Sequence, residues 1–379
     1  MDGQTPQQTD HRPAVAGARA RRRRWLRPAL AVLGAGAIVS AVVLGRSTLT
    51  RSLAALGSLD FTWFVAAVAC EIVSLTAFGL SRRKLLRADG HQVRFGSVMG
   101  ITYAGNALSM SVPFAGAELA VVFSFQQFRR RGLDPALTGW ALAFSAIASS
   151  SALALILLAG ALAGGAPVAT ALGFLLAAVF GIPALTVALA LRYPRARAIA
   201  NRILARAIHL VRRLTRRPVI DPEVLEHFLH RLGTIRLGWR GQAGVFGLAV
   251  LNWLADCACL ACAIRATGVP VPWQGLILAY GAGAAVGSTG ITPGGFVVVE
   301  ATLTAALVAA GMDSAHALTA VLAYRLVNFW MILAGGGGAL VFLTRKREHQ
   351  VPKYAQAGGD GAPRADTGAG QPPGRHEFR

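Results

Sequence analysis

Apolar runs of about 20 residues recur along the chain, and basic stretches follow those that end at 80, 191 and 343. The runs are 26–45, 60–80, 137–162, 168–191, 242–266 and 315–343. Apolar segments of about 20 residues match the hydrocarbon thickness of a bilayer, so six full transmembrane helices are predicted. Pro183 is expected to kink the fourth. Two further apolar regions are interrupted. Residues 97–112 and 114–128 are joined at Pro113. Residues 273–288 and 297–310 flank Thr289-Gly290-Ile291-Thr292-Pro293-Gly294-Gly295-Phe296. These last flanks are 16 and 14 residues long, short of a full span. Proline and glycine break a helix, and backbone released from a helix is not left facing lipid. Each interrupted region is therefore predicted to be a broken, re-entrant pair of half-helices meeting near the membrane middle. The second half-helices are expected to start at Pro113 and Pro293, positions that suit a first turn. The fold class is an all-α polytopic membrane protein.

Charge fixes an orientation. Only 15% of the 379 residues are charged, well under the quarter usual for soluble domains, and 54% are hydrophobic. The formal net charge of +21 lies in the loops rather than along a binding face, so no nucleic acid is expected. With the N-terminus inside, the inside segments are 1–25, 81–96, 129–136, 192–241 and 344–379. Together with Arg27 they hold 34 of the 38 Lys and Arg residues. The positive-inside rule is met at every loop, predicting a plasma-membrane protein with both termini cytoplasmic. Residues 1–25 and 344–379 read as disordered, and 26–343 as the membrane domain. Within 192–241, residues 196–214 space apolar and basic residues helically. An interfacial helix and a plain cytoplasmic helix both fit.

Threaded this way, 60–162 and 242–343 each read as span, broken pair, span, in opposite orientations. That is an inverted-topology repeat, as secondary transporters use. Tyr103-Ala104-Gly105-Asn106 precedes Pro113 and Glu118, as Tyr280-Gly281-Ala282-Gly283 precedes Pro293 and Glu300. Each first span carries one acid, Glu71 or Asp256.

Charged side chains within hydrocarbon are costly and face a cavity or a partner. Glu71, Glu118, Asp256, Glu300 and Arg325 are the buried candidates, with Arg325 expected to pair with Glu300 or Asp256. Asn106, Pro113, Thr292, Pro293, Gly294 and Gly295 complete the candidate substrate path. Two readings of Glu118 and Glu300 stay open. The dipole of a helix start favours an acid there, and a headgroup or proton site needs one. Free N–H groups at the two half-helix starts would attract an anion such as a lipid phosphate. Cys257, Cys259 and Cys262 read as small packing residues, and no metal is expected. The glycine run 281–287 lacks the strand and αβ unit of a dinucleotide site, so no cofactor is expected.

Asn106 with Pro113 and Glu118, Pro293-Gly294-Gly295 with Glu300, and Arg325 resemble the membrane domain of lysylphosphatidylglycerol synthetases. That domain also occurs alone, in flippase-like proteins. The resemblance covers roughly residues 26–345, and its most specific part is Pro-Gly-Gly-x(4)-Glu. It implies translocation of a lipid or lipid-linked headgroup, with anionic phospholipid as the expected partner and two re-entrant hairpins lining the path. Ala117 stands where the family often has a glycine before Glu118, and no arginine follows closely. About 35 polar residues follow the last span, so no aminoacyl transfer is expected. The alternatives are a non-transporting envelope scaffold and a proton-coupled small-solute exporter.

Overall fold

The computed structural model describes residues 59–163, 167–192 and 237–345 except 89 and 91, with positions 43, 46, 50 and 57. The expected first span, most of the basic segment and both polar ends lie outside the described residues. Within them the protein is helical, with no strand. Among the described residues, four helices are long and apolar enough to cross a membrane.

Helix α1 (Phe61–Leu86) starts where the Asp60 carboxylate accepts the Thr62 N–H at 2.8 Å, the usual N-cap device. It runs past the predicted end at residue 80 and carries the basic cluster with it. Arg82 lies over the Phe78 ring at 4.2 Å, and Arg83 donates to the Val93 carbonyl at 3.1 Å. Long basic side chains can lay their stems on apolar surface in this way. The helices that follow are α2 (Phe95–Ser111), α3 (Gly116–Arg129), α4 (Pro135–Ala163) and α5 (Pro167–Arg192). Helix α5 stays helical through Pro183.

Helix α6 (Trp239–Ala266) packs antiparallel along α1. The Asp60 N–H donates to the Ala266 carbonyl at one end of the pair, and Lys84 lies against Gly244 at the other. Then come α7 (Trp273–Ser288), a single 3₁₀ turn at Pro293–Gly295, and α8 (Val298–Ala309). The last crossing is α9 (Ser314–Arg325), a π-helical turn at Leu326–Met331, and α10 (Ile332–Arg345). The apolar pattern shows a single span there; the π turn is visible only in the structure.

The interrupted regions are the two hairpins the pattern predicts. Their arms are 17, 14, 16 and 12 residues long. At 1.5 Å per residue each measures about 18–25 Å, short of the roughly 30 Å hydrocarbon core. Hairpin one (α2–α3) opens beside the C-terminal end of α1, where Arg83 reaches Val93. Hairpin two (α7–α8) opens at the other end of the α1–α6 pair, where Arg265 near the α6 C-terminus reaches the Val269 carbonyl. Their tips meet between, through the Phe114 N–H and the Gly290 carbonyl at 2.6 Å. Half-length pairs entering from opposite ends and touching tip to tip are the inverted arrangement.

The helices do not begin at the prolines. Helix α3 starts at Gly116 and α8 at Val298. The intervening residues cannot continue a helix because Phe114 (φ 57°) and Val297 (φ 68°) sit in the left-handed region. For a β-branched residue this is a genuine strain. Strained backbone of this kind persists only where the surroundings over-determine it.

Helix α10 closes against α2 through Gly336, where a Cβ would strike the Tyr103 carbonyl and the Ala107 methyl. Small residues let membrane helices approach this closely. Gly336→Val is expected to destabilise the protein by about 1–3 kcal/mol through overpacking. Gly338→Val, at a position with nothing within 4 Å, serves as the control. Tryptophan-monitored unfolding in detergent compares the two, and equal losses would remove Gly336 as a packing contact.

Candidate functional site

A cavity of about 380 Å³ lies where the hairpin tips approach α1, α6 and the last crossing. Three sets of polar groups surround it.

The first set anchors hairpin two. Arg325 ends α9 and is 4% exposed. Its Nε donates to Glu300 Oε1 at 2.8 Å, its Nη2 donates to the Gly294 carbonyl, and its guanidinium lies 4.7 Å from the Phe329 ring centroid. Glu300 stands in the first turn of α8, whose N-cap residue Val297 offers no side-chain cap. The acid therefore faces both the guanidinium and the positive end of the helix dipole. Its Oε2 is buried without a hydrogen-bond partner. Gly294 and Gly295 have φ of 60° and 70°. A Cβ on Gly294 would fall on the Phe329 ring, and one on Gly295 would strike Val299. Both positions therefore need glycine for conformation and for space. Thr292 closes the turn by donating to the Phe296 carbonyl at 3.1 Å. Phe296, Phe329 and Trp330 pack behind it, with Phe296 and Phe329 edge to face at 4.8 Å.

The second set joins the two repeats. Asp256 of α6 receives Tyr280 Oη at 2.7 Å, Tyr324 Oη at 3.0 Å and Asn328 Nδ2 at 3.0 Å. The same Asn328 amide reaches Glu71 Oε2 of α1 at 3.5 Å. The acids carried by the two first spans thus meet, with Asn328 of the π turn between them. A π-helical turn shifts the register of a helix, often at a functional site. The third set is polar but uncharged: Ser74 bonds Asn252 at 3.2 Å, and Trp253 Nε1 donates to the Ser149 carbonyl at 2.8 Å.

Of the residues named from sequence, Glu71, Asn106, Asp256, Thr292, Gly294, Gly295 and Arg325 line the cavity. Pro293 opens the 3₁₀ turn, and Glu300 lies behind Arg325. Arg325 pairs with Glu300 and not with Asp256. Pro113 and Glu118 stand apart. Both are exposed, and neither lines the cavity. The expectation that Glu118 is buried is corrected by the packing of α3. Gly116 presses against the Ser109 carbonyl, and a residue two positions on points about 200° away round the helix. The cysteines Cys257 and Cys259 are buried among Leu260 and Ile264.

Tyr324, Asn328 and Asn252 are not singled out by the sequence pattern. A signal is present all the same. Asn252 precedes Asp256 by four residues and Asn328 follows Tyr324 by four, so each pair shares one helix face. Three acids and one arginine make the cavity region acidic when all are ionised. Its hydroxyl and amide groups offer both donors and acceptors to a polar guest.

Residues 27–336 match the model of the lysylphosphatidylglycerol synthase transmembrane region. A curated relative described as a UPF0104 membrane protein, from Methanothermobacter thermautotrophicus, is 27% identical over 148 residues. That stretch covers 36% of this chain and 42% of the relative.

Proposed function

The chain belongs to the family defined by the lysylphosphatidylglycerol synthase transmembrane region, and on that premise we propose that it moves a lipid or lipid-linked headgroup across the membrane. The observation that carries this reading is the meeting of two half-length hairpins beside a polar cavity. A headgroup needs a polar path through hydrocarbon, and its acyl chains need to stay outside that path. Discontinuous helices that meet at the membrane middle provide the first in transporters. The starts of α3 and α8 carry no side-chain cap, and an uncapped helix start suits a phosphate. This supports anionic phospholipid as the first lipid to test. The basic loops support a plasma-membrane protein with cytoplasmic termini. The expectation that it catalyses no aminoacyl transfer belongs to the same reading.

The test is headgroup accessibility in proteoliposomes carrying short-chain fluorescent anionic or zwitterionic lipids. Protein-dependent exchange is expected, with Glu300→Gln slowing it at least about tenfold, the scale of one lost charge-assisted hydrogen bond. Correctly folded protein that exchanges none of these lipids would overturn the proposal.

A further inference from the structure

Two carboxyl groups converge where the charge balance admits only one anion. Glu71 is 5% exposed and Asp256 partly buried, and both face the cavity. They come from α1 and α6, the corresponding first spans of the two repeats. The cation on the same wall, Arg325, is committed to Glu300 and the Gly294 carbonyl. The other titratable groups packed around the pair are Tyr103 of α2, Tyr280 of α7, Tyr324 of α9, and Cys257 and Cys259 of α6. None of these carries a positive charge. Two neighbouring carboxylates in a low-dielectric site oppose each other's ionisation, so one of them holds a proton more readily than an ordinary acid.

The hydrogen bonds show which one gives way. Asp256 receives three donors, two hydroxyls and one amide, all within 3.0 Å. That is the environment of an anion. Glu71 receives the Asn328 amide at 3.5 Å, the outer limit of a hydrogen bond. It is a nine-tenths buried carboxyl, under-supplied with donors, on a cavity wall. Among the described residues no group of three ligating side chains suits a metal ion.

We infer that Glu71 and Asp256 form one proton-binding site, with Asp256 as the fixed anion and Glu71 as the group that takes up and releases the proton. A proton from water forms the Glu71 O–H bond, and the pair then carries one negative charge. Loss of that proton to the cavity restores the second charge. That charge would repel an anionic headgroup and attract a cationic one, so proton occupancy is tied to what the cavity accepts. This coupling rests on the lipid-moving reading above. The proton site itself does not.

Two measurements separate the parts. Dicyclohexylcarbodiimide modifies protonated carboxyls in apolar surroundings, and peptide mass mapping locates the adduct. In the full-length wild-type protein at about pH 7, where ordinary carboxyls are ionised, Glu71 is expected to be modified and Glu300 spared. Labelling of Glu71 is expected to fall as the pH is raised, and in Asp256→Asn, where the neighbouring charge is gone, to fall at lower pH than in the wild type. An unlabelled Glu71 under conditions that label acid-treated control protein would overturn the site. So would protection of Glu71 by sodium at constant pH, which would make it a cation site. The second measurement imposes a pH gradient on the proteoliposomes. Lipid exchange in the wild type is expected to change at least about fivefold with the gradient, and in isosteric Glu71→Gln to become indifferent to it. Exchange that ignores the gradient in the wild type would overturn the coupling. Absence of any lipid exchange, with Glu71 still labelled, would defeat the lipid-moving reading and leave the proton site standing.

Discussion

Arg325→Met is expected to lower unfolding stability by about 3–5 kcal/mol, the cost of leaving one partner of a buried ion pair uncompensated. Arg325 is 4% exposed and Glu300 7%. Without the guanidinium, Glu300 would stay buried with neither oxygen paired to a protein group. The Gly294 carbonyl would lose its donor as well. The substitution therefore frees hairpin two at two points, its tip and the start of α8. Adding Glu300→Gln should recover more than half of the loss, because the remaining group is then neutral. That recovery separates a charge effect from lost packing of the arginine stem over Phe329. The measurement is a denaturant titration in mixed micelles of the wild type, both single variants and the double variant. A single-variant loss below about 1 kcal/mol, as for exposed pairs, would show that the pair is not isolated from water.

Gly294→Ala follows close behind, at about 2–4 kcal/mol. Two costs combine there. The backbone φ of 60° penalises any L side chain by about 1–3 kcal/mol. The new methyl group would also meet the Phe329 ring, and overpacking typically adds about 1–3 kcal/mol. Gly311 separates the two. Its φ is 96° with nothing within 4 Å, so Gly311→Ala carries conformational strain alone. Melting of both variants in the same detergent gives the comparison. Equal shifts would mean that Phe329 yields freely and that the Pro-Gly-Gly turn is selected for its conformation only. A larger shift for Gly294→Ala, with reduced lipid exchange, would tie the turn's tight fit to the cavity it borders.

The helical periods, the breaks and the loop charges are legible in the amino-acid order alone. A span of about 20 apolar residues has one stable form in a bilayer, because its backbone must satisfy itself. Pro113 and the Thr289–Phe296 stretch interrupt apolar regions whose arms fall short of a full span, so the hairpins are readable as interruptions. Their arms' lengths follow from residue counts to within about two residues. The acids of the first spans and Arg325 are legible for the same reason: each is costly where the pattern places it. Asn328 and Tyr324 are not, since neutral polar residues in a span cost little enough to pass without comment.

What the chain order alone determined is therefore one-dimensional: which stretches are apolar enough to cross, which break, and where the basic residues fall. These depend on the local cost of exposing a peptide group or a charge to hydrocarbon, and that cost is a property of each segment. The tertiary structure decided every relation between segments. It brought Phe114 to Gly290, gave Arg325 to Glu300 rather than Asp256, and turned Glu118 out to the surface. It also set Asn328 between two acids 185 residues apart in sequence. Such choices turn on the register of one helix against another and on a π turn that shifts a side chain round its axis. Packing of all the helices together sets that register, and no single stretch of sequence contains it.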